Sequence, residues 1–491
     1  MMLKSFHTLP IWIALIVGFS ADACDFTWMT LFPSNSSVNT VARDAQNRSV
    51  VAGTFSGTAS FGTNQLTSVG GADVFIAALG GDGNVTWVRQ AGGIAGETVT
   101  RVAIARDGTV FFCGTFLGTA NFGTNVVTAT SSNGYPDLYV ARLNSAGEFL
   151  WVRTYPTSGS GTECGLALFD TNRVWITSDS SFKLFIRGYD FNGNLVNDIT
   201  PTPSESQGKA LAIDTNGNIY VTGYFRWSLD FGSTNFAGSG AGNAFLAKFT
   251  PAGALLWAAI YSPINRSLGY DIALTPNGDV VNVGHMDATY LGAPAPTLYV
   301  WKLSANGDEI WLRQQGERRS VYSANSVAID AQGNIYTFGK KSDAFSAFDP
   351  RSGPMLTAWT SSGTEAVFLR VIGAKLGEDG TGLGITVDSV GNAWLAGSIQ
   401  GTFDFGTHHV VATNTLGFVT RLSPVMHPRL DMQRATNNAV VLSWPASATG
   451  FQLRTSDRFP ATNWANVGNS PTTLSNRVRV SISATNAAQF F

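Results

Sequence analysis

One repeated phrase constrains this chain more than any other feature. A string of the form apolar-Ala-apolar-Asp-x-x-Gly-Asn-apolar-aromatic-apolar-x-Gly appears in clean copies at Leu211–Gly223 (LAIDTNGNIYVTG), Val327–Gly339 (VAIDAQGNIYTFG) and Ile385–Gly397 (ITVDSVGNAWLAG). Looser copies lie at Val41–Gly53, Val102–Gly114, Leu166–Ser178 and Ile272–Gly284, which makes seven. They recur at intervals of roughly 45 to 65 residues, a period that signals repeated supersecondary units. Each copy reads as a β-hairpin: the Asp side chain accepts backbone N–H bonds at the turn, and Gly takes the φ > 0 position at no steric cost. Flanks such as Ala210–Ile213 and Ile219–Thr222 have the aliphatic, β-branched and aromatic character of strands.

A second phrase follows in most units: an apolar strand, a turn with Gly, and a strand carrying Trp four residues after that Gly. It occurs at Phe75–Trp87, Tyr139–Trp151, Phe245–Trp257 and Tyr299–Trp311. The sixth unit reads as a stretched version, Phe345–Trp359, and the third as a shortened one with Asn197 in place of Trp, hence a thin or irregular sheet. Two hairpins per unit give a four-stranded antiparallel meander, and seven such meanders predict an all-β, seven-bladed β-propeller. The ends of the chain bear on closure. The seventh unit reaches its third strand at Phe418–Leu422 and then stops at Pro424, whereas Asp25–Leu31, with Trp28, has no partner in its own unit. The N-terminal strand is therefore expected beside Phe418–Leu422 as the missing outer strand, which would close the ring and remove exposed sheet edges.

These units resemble the SBBP family of seven-bladed propeller repeats of secreted bacterial proteins. The shared features are the Asp-x-x-Gly-Asn hairpin, the Gly-x-x-x-Trp strand and a Gly-x-Phe…Phe-Gly stretch. The last occurs at Gly53–Gly62, Gly114–Gly123 and Gly223–Gly232, and at Gly397–Gly406 with Ile399 in place of the first Phe. Units three, five and six lack it. The resemblance covers about residues 25 to 424; it implies the fold and names no ligand. Beyond Pro424 the period breaks. Val440–Pro445, Phe451–Leu453, Trp464 and Val478–Ile482 read as short strands of a small C-terminal β-sandwich-like module, residues 425–491, for docking, surface attachment or simple stabilisation.

The first 23 residues have the pattern of a secretion signal: Lys4, the short apolar run Ile11–Phe19, and Ala21-Asp22-Ala23 as a cleavage site. That run is too short for a spanning helix, and no later apolar segment is longer, so no transmembrane segment is expected. The sequence thus predicts domains at 1–23 (signal), 24–424 (propeller) and 425–491, and a secreted, periplasmic or cell-surface location. Cleavage would leave Cys24 first, the place of a lipid anchor, although Ala-Asp-Ala departs from the Leu-x-small pattern that precedes a lipidated cysteine. Cys113 and Cys164 admit two readings, a bridge in an oxidising compartment or two buried thiols. A net charge of -2 with 13% charged residues leaves no pull toward nucleic acid or anionic lipid.

Reactive motifs are sparse. The sequence contains no H-E-x-x-H, C-x-x-C or G-x-S-x-G. His408-His409 reads as a solvated turn, and Gly377–Gly384 as a flexible loop rather than a phosphate loop, since it lacks the Lys-Ser/Thr ending. The hairpin carboxylates Asp44, Asp214, Asp330 and Asp388 read as turn caps. Asp230 and Asp404, each before Phe-Gly, are candidate Ca²⁺ ligands with loop carbonyls; no other cofactor or metal is expected. The tryptophans at one register (Trp28, Trp87, Trp151, Trp257, Trp311, Trp359) read as packing between units, and Arg89, Arg153 and Arg313, two residues after a Trp, as stacking or pairing groups. Residues that vary between units mark positions the scaffold does not dictate, so Arg226, Trp227, Tyr290, Arg318 and Arg319 are the recognition candidates. The expectation is a non-catalytic exported propeller that binds a protein or glycan through loops on one face. The alternatives are a polysaccharide lyase or glycosidase at the channel mouth, or a structural envelope component.

Overall fold

The computed structural model describes residues 26–423 except 132–133, 158–162, 170–171, 181, 201–203, 262–265, 288, 291–292, 295, 317–319, 343–351, 371–377 and 406–407; beyond 423 it describes 431–434, 439–445, 454–455, 465–466, 472–474 and 477–483. Among the described residues there is no helix, and antiparallel sheets carry the fold. One compact unit spans Cys24–Val425, and a second includes Met426–Phe491.

Unit four shows how the phrases build a sheet. Ser204–Ile213 and Ile219–Asp230 form the first hairpin, Asn243–Phe249 pairs with the second strand, and Leu255–Tyr261 completes the meander. At the first turn Asp214 Oδ1 accepts the N–H of Asn216 at 3.0 Å and of Asn218 at 2.9 Å, while Asn218 Nδ2 donates to Asp214 Oδ2 at 2.8 Å. Asp330 with Asn334 and Asp388 with Asn392 repeat this arrangement, so the Asp and Asn of the phrase cap their own turn. The third strands Asn243–Phe249, Thr297–Leu303 and Ser352–Trp359 are buried along their whole length. Burial on both faces explains why they read as continuous apolar runs instead of alternating ones.

Each first strand packs on the sheet of the preceding unit: Ser204–Ile213 on unit three, Ser267–Leu274 on unit four, Val321–Ile329 on unit five and Asp379–Val387 on unit six. Ser36–Arg43 packs on Asp379–Val387, Ala393–Phe405 and His408–Leu422 of unit seven. In that last sheet Phe26–Ser34 is the outer strand, in register with His408–Leu422 through Phe26↔Leu422, Trp28↔Arg421 and Thr30↔Val419. Thr420 Oγ1 donates to the Trp28 carbonyl at 2.7 Å, and the Phe26 ring meets Phe405 edge-on at 5.5 Å. The Phe-Gly stretches form small extra hairpins between second and third strands, such as Thr58–Phe61 with Asn64–Thr67. In unit two this hairpin, Thr119–Phe122 with Asn125–Thr128, also adds to the outer edge of unit one through Ala120↔Gly93 and Phe122↔Ala91.

The tryptophans latch consecutive units. A Cβ placed on the turn glycine of the next unit would lie 2.9 Å from the ring of Trp87 at Gly147, 2.8 Å from Trp257 at Gly307 and 2.9 Å from Trp311 at Gly363. Trp28 meets Gly83 in the same way. The indole N–H of Trp151 donates to Phe191 O at 2.8 Å and that of Trp257 to Ala305 O at 3.0 Å. The arginine two residues on stacks over its own Trp and donates to the next turn: Arg153 Nε to Gly193 O at 2.9 Å, Arg313 Nε to Gly363 O at 2.8 Å. Carbonyls, not loop carboxylates, are therefore the partners of these arginines.

Four local expectations are corrected. In unit six the turn glycine is Gly363, not Gly353: Ser352–Trp359 is the third strand and Glu365–Arg370 the fourth, so Trp359 ends a third strand and Val367 takes the usual Trp position. Unit three is a regular four-stranded sheet (Gly165–Phe169, Arg173–Ser180, Lys183–Asp190, Leu195–Ile199) in which the buried Trp175 ring fills the space over Gly188 and Ile199 covers Gly253 of unit four. Residues 379–384 of the glycine-rich run lie in the first strand of unit seven, where lack of side chains at Gly382 and Gly384 lets Phe338 and Thr40 approach closely. His408 and His409 lie on a strand, with His409 Nδ1 against Asp404 Oδ1.

In the C-terminal unit Asp431–Arg434, Ala439–Pro445, Arg477–Ser483 and Thr472–Leu474 form one antiparallel sheet. Phe451–Leu453 and Trp464 fall outside the described residues.

Candidate functional site

The Gly that ends the phrase lies inside the second hairpin strand of most units, and the reason for Gly there is steric. A Cβ on Gly53, Gly223, Gly284 or Gly339 would lie 1.9 Å from a backbone carbonyl oxygen of the first strand, those of Ser37, Gln207, Leu268 and Ser323. That close approach accompanies a β-bulge. Pairing steps from Val38 to Thr40, Gly208 to Ala210, Gly269 to Asp271, Ala324 to Ser326 and Gly382 to Gly384, each time skipping one residue of the first strand. A bulge kinks the strand and re-aims the skipped side chain.

The skipped residues are Asn39, Lys209, Tyr270, Asn325 and Leu383, all two places before their hairpin phrase. Thr100 and Cys164 hold the same position in units two and three. All seven line one cavity of about 370 Å³, completed by Val99, Arg101 and Glu163. Every unit thus contributes its equivalent residue to a single polar space.

The charges in this space are paired. Lys209 Nζ lies 2.9 Å from Glu163 Oε2. Arg101 Nη2 lies 3.3 Å from Asp271 Oδ1 and donates to Tyr270 O at 3.1 Å. Asp271 Oδ2 also accepts from Ser326 Oγ and Val327 N, both at 2.9 Å. Burial works to raise the Glu163 carboxyl, but Lys209, with Arg101 behind it, holds it below its ordinary value. Asn39 and Asn325 donate across unit boundaries, to Val99 O at 3.0 Å and Gly382 O at 2.8 Å. The Tyr270 ring leans on His285 at 5.2 Å between centroids; burial lowers the His285 imidazole to about 4, against the pull of Asp287, which keeps it neutral near pH 7.

Cys164 is consumed by a different task. It is disulfide-bonded to Cys113, so of the two readings the bridge holds. The bond ties units two and three at the cavity wall, and Thr100 Oγ1 lies 3.1 Å from Cys164 O. Unit three is also the one unit whose phrase ends in Ser178 instead of Gly; Ser178 Oγ donates to Glu163 O at 2.8 Å.

A smaller recess of about 110 Å³ opens between units three and four, lined by Asp179, Phe182, Glu205, Ser206, Gln207, Tyr224 and Arg226. Burial raises the Asp179 carboxyl, against a 2.7 Å hydrogen bond from Gln207 Nε2. Lys209, which lines the larger cavity, holds its Nζ 5.7 Å from the ring of Tyr224, which lines the recess.

The structure scatters the recognition candidates. Arg226 lines the recess and pairs with Glu205 at 3.3 Å. Its neighbour Trp227 is 60% exposed and lies against Gly240. Tyr290 falls in a two-residue strand paired with Ala293, and nothing is described of its side chain. Arg318 and Arg319 lie outside the described residues. Asp230 Oδ1 caps its own turn through Gly232 N at 2.7 Å, and Asp404 Oδ1, on another sheet, faces His409. Among the described residues no three His, Cys, Asp or Glu side chains gather in a metal-binding group, and no helix is long and apolar enough to cross a membrane. The cavity residues themselves belong to none of the motifs. Their signal was present: one fixed position, two before the phrase, reading Asn, Thr, Cys, Lys, Tyr, Asn, Leu around otherwise similar units.

Residues 202–224 match the family model SBBP, a beta-propeller repeat. No curated protein matches the chain. Among solved structures, polysaccharide lyase Uly1 is similar at 11% identity and a TM-score of 0.43, over 79% of this chain and 90% of that one. The Neurospora crassa Pan2 WD40 domain gives 11% identity and 0.42 over 79% and 89%, and a prolyl endopeptidase 12% and 0.40 over 84% and 54%.

Proposed function

We propose that the chain is an exported seven-bladed β-propeller, closed by its N-terminal strand, that binds a glycan at its axis without transforming it. The observation that carries this reading is the set of seven same-register residues facing one cavity. Two amides, a tyrosine and internally paired charges offer hydrogen bonds to a polar, uncharged body, and a space of about 370 Å³ is of sugar-unit size. Ring closure draws support from the pairing of Phe26–Ser34 with the last propeller strand and from the packing of Ser36–Arg43 on unit seven. Export draws support from the signal pattern of residues 1–23 and from a buried disulfide, which persists in oxidising compartments. In this reading residues 425–491 serve attachment.

Titration of the purified chain against a panel of neutral and charged oligosaccharides tests the proposal. Tyr270→Ala and Asn325→Leu should each weaken binding about tenfold or more, the size of a lost polar contact of 1–2 kcal/mol. Binding that survives both substitutions in folded protein would place the site elsewhere.

A second reading, a lyase that cleaves an acidic glycan by β-elimination, is favoured by one observation. Tyr270 and the neutral imidazole of His285 lie together beside Arg101. Such a reaction needs a base for the proton next to the carboxylate and a cation to hold that carboxylate. It leaves an unsaturated, ultraviolet-absorbing product. Formation of that product, abolished by both Tyr270→Phe and His285→Ala, would replace the binding reading; its absence across uronate polymers removes the lyase.

A further inference from the structure

The seam between units one and two holds two buried acids that the repeat does not call for. Glu97 stands three residues before its cavity residue Thr100, where units four and five have Ser206 and Ser267. The backbone is alike at all three: Glu97 N donates to Ala72 O at 2.9 Å, Ser206 N to Phe182 O at 2.9 Å and Ser267 N to Gly242 O at 3.0 Å. Both serine hydroxyls are met, by Leu184 N at 3.1 Å and Ala244 N at 2.9 Å. Asp73 opens the third strand of unit one as Asp137 opens that of unit two. Both Asp137 oxygens are met, one by Thr130 N at 2.7 Å and the other by Ser131 N at 3.0 Å. Asp73 and Glu97 are only half met. Val69 N and Gln90 Nε2 donate to Asp73 Oδ2 at 3.3 and 2.6 Å, and Gly93 N donates to Glu97 Oε2 at 3.0 Å. Asp73 Oδ1 and Glu97 Oε1 are sealed from solvent and have no partner.

The two carboxylates are neighbours. A Cβ on Gly92 would lie 2.3 Å from Asp73 Cγ, so that carboxylate rests on Gly92, while Glu97 holds the N–H of the next residue, whose Cα is about 3.8 Å along the strand. The Asp73 charge reaches the Glu97 carboxyl, and no cation among the described residues bears on either group. Bare carboxylate oxygens kept from water are costly unless a cation meets them. Each carboxylate also gives one oxygen to N–H donors and leaves the other open, which is how ligating carboxylates are oriented. We propose that this seam binds a Ca²⁺ ion between Asp73 Oδ1 and Glu97 Oε1. Two negative charges match a divalent ion, and oxygen donors alone do not suit zinc. Calcium accepts an irregular shell of about six to eight oxygens, whereas magnesium demands an octahedron and keeps its waters. Backbone carbonyls and water complete the shell. The glycine-rich segments 68–72 and 93–97 run backbone to backbone there, Gly71 N donating to Ile94 O at 3.1 Å, so few side chains block their carbonyls.

Calorimetric titration of the whole chain, first stripped with chelator, tests this with CaCl₂ and MgCl₂ at about pH 8, above the carboxyl range. A single Ca²⁺ should bind, about tenfold or more tighter than Mg²⁺. At roughly a hundredfold excess over its dissociation constant it should raise the melting temperature by about 3 °C. Glu97→Ser and Asp73→Asn install the residues that unit four carries at these positions, Ser206 and Asn243, and circular dichroism checks that both fold. Each should weaken Ca²⁺ about tenfold or more, while Asp230→Asn should leave it unchanged. Absence of Ca²⁺ uptake by the wild type would overturn the proposal and leave a proton as the occupant of the pair; this measurement needs no variant. Equal affinity for Mg²⁺, binding that persists in both seam variants, or binding lost in Asp230→Asn would overturn it as well.

Discussion

Glu97 sets up a pH dependence that runs opposite to the usual acid lability. It sits in the loop entering unit two, 2% exposed; its Oε2 accepts the Gly93 N–H at 3.0 Å and its Oε1 has no partner. Nearby Asp73 is fully buried and also carries an unpartnered oxygen. Burial lifts the Glu97 carboxyl from 4.5 to about 7, the Gly93 bond opposes this, and Asp73 adds to it. A group whose folded pKa is raised binds its proton more tightly when folded. Its contribution is therefore fully present below about pH 4.5 and is lost as pH climbs toward 7. The span corresponds to a ceiling of about 3 kcal/mol, reduced in practice by relaxation and water entry. His285 works the other way, since its lowered pKa adds stability as pH rises from about 4 to 6.5. The wild-type profile alone is thus ambiguous, and the comparison with Glu97→Gln, which keeps the Gly93 acceptor without the charge, isolates the term. Urea midpoints followed by tryptophan fluorescence between about pH 4 and 8 give both profiles. The wild-type stability minus that of the variant should fall by about 1–3 kcal/mol across the window. A flat or rising difference refutes the assignment.

Three further outcomes follow from the packing. Gly147→Ala puts a side chain on a residue at φ +82° and within 2.9 Å of Trp87, and should cost about 1–3 kcal/mol, whereas Gly96→Ala, with nothing within 4 Å, should be nearly neutral in the same melting assay. Replacing Cys113 and Cys164 by Ser frees a loop of sequence separation 51 and should lower stability by about 4 kcal/mol in the chain-entropy picture; dithiothreitol should then lower the melting temperature of the wild type but not of the variant. Removing residues 26–34 exposes the edge of His408–Leu422, so the shortened protein should self-associate in light scattering and return to monomer when a 26–34 peptide is added; a stable monomer without the peptide would contradict the pairing.

The hairpins were legible because their turns are written locally. Asp, Gly and Asn at fixed offsets state both where the chain reverses and how the turn is capped. The partner of the Trp28 strand was legible by counting, since unit seven has three strands of its own. What misled the reading was also local. Gly353 resembles a turn glycine in sequence, yet it pairs with Lys341 inside a buried strand, and the reversal occurs at Gly363. The glycines at 380, 382 and 384 suggest looseness, but in the structure they admit neighbouring rings and backbone. The cavity residues escaped because a bulge lies outside the phrase that causes it: the Gly that permits close approach is in the second strand, and the re-aimed side chain is in the first. The Cys113–Cys164 bond joins two units, and no pattern within either unit foretells it.

Because five of the cavity side chains, those of Asn39, Lys209, Tyr270, Asn325 and Leu383, sit at skipped rungs, their identity is uncoupled from the ladder on both sides. Those five letters can then change one at a time while the surrounding backbone ladder stays as it is. Evolution, or a designer, could re-spell those positions of the lining without renegotiating the backbone ladder, whereas the cystine letter is fixed by its covalent partner.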